Sequence, residues 1–93
     1  MTSAEQWVAR FAERLSVEVP DAEAVDVLLE MTGIAAHSSE RTAGPISTWL
    51  VGRAGVPPRE ALEHARALAA EMASEEAEAA AAADPGSEAG PQV

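Results

Sequence analysis

The chain has 93 residues, which allows a single domain. Sixteen acidic residues against six arginines and no lysine give a formal charge of -10; there is no cysteine, and only three residues are aromatic. These counts exclude a disulfide framework, a thiolate zinc site and a cysteine nucleophile. They argue against a nucleic-acid binder, which needs a basic patch to displace counterions. No stretch approaches the roughly 20 apolar residues that cross a bilayer. The first twenty residues lack the basic start and apolar run of a signal peptide, so a cytoplasmic protein is expected.

A first helix is predicted to start at Thr2 or Ser3. Ser3 and Gln6 fit a capping box, in which hydroxyl and amide satisfy each other's backbone donors. Trp7, Val8, Phe11, Ala12 and Leu15 then recur on one helical face. The stretch Ser16-Val17-Glu18-Val19 before Pro20 reads as a connector, because the residue before a proline leaves the helical region.

Asp21 is a good N-cap for a second helix, and Glu23 complements the positive end of its dipole. Val25, Leu28, Leu29, Thr32, Ala35 and Ala36 mark one face; Val27, Met31 and Ile34 mark another. A helix apolar over most of its circumference is the buried one, so this is the expected central helix. Residues 38–44 read as a loop. Pro45 suits the first turn of a third helix, where a missing N–H costs nothing. Ile46, Trp49 and Leu50 would share its inner face. Gly55 is placed to end it in the left-handed conformation. A fourth helix is expected from about Pro58, with Ala61, Leu62, Ala65, Leu68, Ala69 and Met72 as its packed stripe.

The composition changes near Met72. Beyond it lie five acids (Glu75, Glu76, Glu78, Asp84 and Glu88), no cation, and a run of alanines from Ala79 to Ala83. Alanine favours helix, but such a segment buries too little to offset its ordering entropy. Residues 73–83 are therefore read as a helix extension and residues 84–93 as a disordered acidic tail. The expected architecture is all-α: a small irregular antiparallel bundle of four helices over residues 1–72, followed by the Ala/Glu-rich tail over residues 73–93. Trp7 and Trp49 are expected in its core. A core this small supplies only a few kcal/mol, a weakness that a homodimer or a larger partner would remove.

Candidate chemistry is sparse. Glu30 and His37 are two helical turns apart, too far to share an ion. Glu60 and His64 stand at i, i+4, but Glu60 reads better as a dipole complement, so no metal site and no cofactor is expected. Ser38, Ser39 and Ser47 lie near His37 in sequence without an orienting acid or an oxyanion hole. An enzyme is not expected. His37 suits the negative end of the second helix; its alternative role is a polar contact on a ligand or partner. Arg41, Ser47 and Thr48 around the start of the third helix could hold an anion.

The stretch from His37 through Glu40, Arg41, Ala43, Pro45, Ile46, Thr48, Trp49 and Leu50 to Gly52 resembles the centre of DUF6457, a small bacterial domain of unknown function. Val27-Leu28-Leu29-Glu30, Ala36-His37 and Trp7 extend the likeness over about residues 4–72. Two positions depart from the family pattern: Gly44 stands where a small residue or proline is usual, and Trp49 replaces a phenylalanine. The resemblance implies a domain found alone or attached to molybdenum-cofactor guanylyltransferase-like proteins. It therefore implies an accessory role near molybdopterin guanine dinucleotide biosynthesis.

The expected function is a non-catalytic helical accessory or protein-interaction module, with a nucleotidyltransferase or a second copy as partner, and with no nucleic acid and no membrane. The alternative is a small-ligand or anion-binding domain using the joint at residues 37–48. In both readings the candidate contacts are His37, Glu40, Arg41, Pro45, Thr48 and Trp49.

Overall fold

The computed structural model describes residues 2–89, with side chains for residues 2–82. It forms four helices and, among the described residues, no strand: α1 (Ala4–Leu15), α2 (Ala22–Ser38), α3 (Ala43–Ala54) and α4 (Pro58–Ala89). No helix among these residues is long and apolar enough to cross a membrane.

Local chemistry sets the ends. The Ser3 hydroxyl accepts from the Gln6 N–H, and Gln6 Oε1 accepts from the Ser3 N–H, each at 3.1 Å, so the expected capping box is present. Asp21 Oδ1 accepts from the Ala24 N–H at 2.8 Å and opens α2. Gly55 closes α3 at φ 75°, a conformation that costs glycine nothing. Ser16 closes α1 in the same region at φ 59°, without the glycine that usually announces such a cap.

Two boundaries differ from the expectation. Ser38 belongs to α2, and α3 starts at Ala43, so the loop is shorter than residues 38–44. Pro45 is then the third helical residue, still within the first turn, where no N–H has an intrahelical partner. Residues 73–83 continue α4 as expected. The helix carries on to Ala89, and the last residues of the expected tail, 90–93, lie outside the described residues.

Packing centres on α2, which meets both α3 and α4. Val27 and Met31 of α2 and Leu62 of α4 form the buried core, with Leu28, Ile34, Val51 and Ala65 against it. Glu23 pairs with Arg59, and Glu30 with Arg66. The offset is the same in both pairs, so α2 and α4 run in the same direction, as alternate helices of an up-and-down bundle do. The molecule measures 63 × 30 × 19 Å. Its long dimension is mostly α4, whose 32 residues span about 48 Å at the helical rise.

The expected core is corrected at several places. Trp7 and Trp49 are 57% and 64% exposed, and Phe11, Leu15, Leu29, Ile46, Leu50 and Leu68 are exposed too. For α3 the cause is a close approach. Gly44 is buried against Thr32, and a Cβ on it would stand 2.6 Å from Thr32 Cγ2. That contact turns the Gly44–Thr48 side of α3 toward α2. Trp49 lies five positions on, about 140° round the helix, and so faces outward. For α1 the cause is that one narrow side meets the molecule, with Ala12 buried on it, while Trp7, Phe11 and Leu15 stay exposed. Ala4, Glu5 and Val8 lie beside Val19, Pro20 and Val25 at the start of α2, and α1 packs along the length of no other helix.

Candidate functional site

The 37–48 joint is where sequence patterns concentrate polar residues, but the fold directs these groups to separate tasks. The His37 ring sits on the Gly33 carbonyl oxygen, with Nδ1 at 2.8 Å. A ring nitrogen facing a carbonyl must carry its proton, so Nδ1 donates. The Thr48 hydroxyl lies 2.9 Å from the Gly44 carbonyl oxygen and 3.1 Å from the Thr32 hydroxyl, which lies 2.8 Å from the Leu28 carbonyl oxygen; with one proton each, the two hydroxyls make two of these three hydrogen bonds at a time. These hydroxyls therefore form a ladder between α2 and α3 that satisfies their polar atoms where the helices are too close for larger side chains. Glu40, Arg41 and Pro45 are exposed, and Arg41 makes no ion pair among the described residues. The six sequence candidates do not converge on one cavity.

What the tertiary structure does assemble lies beside that joint. The C-terminal half of α2, the inner side of α3 and the middle of α4 enclose an open apolar groove of about 320 Å³. Met31, Ile34, Leu50, Val51, Ala65 and Leu68 supply its walls, while Ser38, Ser39, Ser47 and His64 give it a polar rim. None of the six sequence candidates lines it. His64 Nε2 lies 3.7 Å from the Glu60 carboxylate at the surface. No three histidine, aspartate or glutamate side chains gather into a metal-binding group among the described residues.

A second apolar surface lies on α1. The Trp7 and Phe11 rings have centroids 4.7 Å apart and share a broad depression with Gln6, Arg10 and Arg14. Two of the chain's six cations therefore line the same depression as the Trp7–Phe11 pair. Sequence reasoning placed Trp7 and Phe11 on the correct stripe but assigned the stripe to the core. An amphipathic period locates an apolar face without saying what covers it.

The domain of unknown function DUF6457 matches residues 1–88, nearly the whole chain, and the protein belongs to that family. No curated protein matches it. No solved structure matches it either.

Proposed function

We propose that the chain is a non-catalytic helical interaction module whose apolar surfaces receive a protein partner. The observation that carries this reading is the exposure of both tryptophans and of Phe11 on a chain whose buried residues, among those described, are all small or aliphatic: Ala12, Val27, Met31, Gly44, Ala61 and Leu62. Large exposed apolar patches mark interaction surfaces, and tryptophan is enriched among the residues that dominate binding energy. Catalysis, by contrast, needs titratable groups converging in a sheltered site, and no polar or charged residue is buried among those described. The anion-binding alternative at residues 37–48 has less support, since His37 and Thr48 already bond to their own helices. A more specific form of the proposal, an accessory to a nucleotidyltransferase of molybdenum-cofactor assembly, rests on the family resemblance alone.

The test is affinity capture from the native host, with the full chain and its Trp7→Ser and Trp49→Ser variants as baits. A defined partner held by the parent chain and lost by at least one variant is the expected result. Both positions are exposed, so each variant should keep the parent's unfolding free energy within roughly 0.5 kcal/mol. No specific capture, or equal capture by all three baits, sinks the reading.

A further inference from the structure

Resting on that reading, we propose that the groove between α2, α3 and α4 is the docking site for α1 of a second copy of this chain, in a reciprocal dimer. Each copy would lend its aromatic helix to the other's groove.

The two surfaces are complementary in shape and chemistry. The groove is an open apolar trough walled by three helices, the place a fourth helix fills in a closed bundle. The helix with an uncovered apolar stripe is α1, with Trp7, Phe11 and Leu15 all about half exposed. The chain's own α1 is held elsewhere. It turns at the left-handed Ser16, passes through Pro20, and its Val8 lies in the seam with Val19 and Val25 at the start of α2. Ile34, in the groove wall, is nine residues beyond Val25 along α2, about 13 Å by the helical rise.

Charge points to a second copy as the occupant. At -10 the net charges of two copies repel each other. Yet α1 carries Glu5, Glu13, Arg10 and Arg14 and is itself neutral. The wall of the groove formed by α4 continues past Met72 into Glu75, Glu76 and Glu78, preceded by Glu71, with no cation after Arg66. An α1 seated with its arginine-bearing end toward Glu71 and Glu75 meets opposite charge while its rings enter the apolar trough.

Two seated α1 helices related by a two-fold axis make a closed, self-complementary contact.

Sedimentation equilibrium of the full chain alone tests this, together with charge exchange. The parent chain should sediment at twice its 9.6 kDa mass. Phe11→Ser should shift it to the monomer. Arg10→Glu/Arg14→Glu and Glu71→Arg/Glu75→Arg should each weaken the dimer at least roughly tenfold, because like charges then meet at both seats. Mixed in equal amounts, those two variants should recover the dimer, since each seat of the mixed pair again joins opposite charges. The exchanges sit on exposed positions, and the mixture reports on pairing even if one variant alone is less stable. A monomeric parent chain overturns the inference. So does a monomer with Trp7 shielded from an aqueous quencher, which would mean that α1 closes on its own groove, and so does a mixture that stays monomeric. Those outcomes leave the capture experiment above to decide the interaction reading separately.

Discussion

Gly44 orients α3. Its missing side chain lets α3 approach α2 until a Cβ there would lie 2.6 Å from Thr32 Cγ2. The Thr32 methyl cannot swing aside cheaply, because its hydroxyl is held by the Leu28 carbonyl and by Thr48. Gly44→Ala should therefore destabilise the fold by roughly 1–3 kcal/mol, the usual cost of overpacking, as read by urea unfolding. The same substitution on a Thr32→Ser background should cost clearly less, because serine lacks the offending methyl; equal costs in both backgrounds would refute the steric cause. Arg66 provides the contrasting case. Its pairing with Glu30 is more than half exposed on both sides, and exposed ion pairs contribute little. Arg66→Ala should change the unfolding free energy by less than about 1 kcal/mol, an effect that shrinks further in high salt.

At the level of elements, the starts of α1 and α2 and the end of α3 were legible because capping is local chemistry. Ser3 with Gln6, Asp21, and Gly55 at the end of α3 act on atoms within four residues of themselves. The cap of α1 also gives a prediction that separates local from global stability. Ser3→Ala removes a bond from hydroxyl to N–H, a loss of roughly 0.5–2 kcal/mol of helix stability. Because α1 packs along no other helix, that loss should appear as faster amide exchange within residues 4–15. The exchange of Val27, Met31 and Leu62, the buried core, should stay unchanged. A parallel loss of protection in the core would show that α1 is coupled to the bundle. The face of α3 was not legible. Ile46, Trp49 and Leu50 form as good an apolar stripe as Gly44, Thr48 and Val51, and the glycine–threonine approach selected the second.

For the whole molecule, the all-helical architecture and the central place of α2 followed from composition and from its broad apolar circumference. The candidate site was only partly readable. Residues 37–48 stood out because polar and special residues cluster there in sequence, yet His37 and Thr48 serve their own helices, and the groove forms next to them from alanines, leucines and serines. Such residues carry no motif. Their joint concavity exists only after three helices meet. Periodicity and capping are properties of neighbours along the chain, so the amino-acid order is enough to place four helices and their apolar stripes. Which stripe is covered, which stays open, and where a groove appears depend on how closely two backbones can approach. That is decided by pairs such as Gly44 and Thr32, twelve residues apart, whose contact no local pattern encodes.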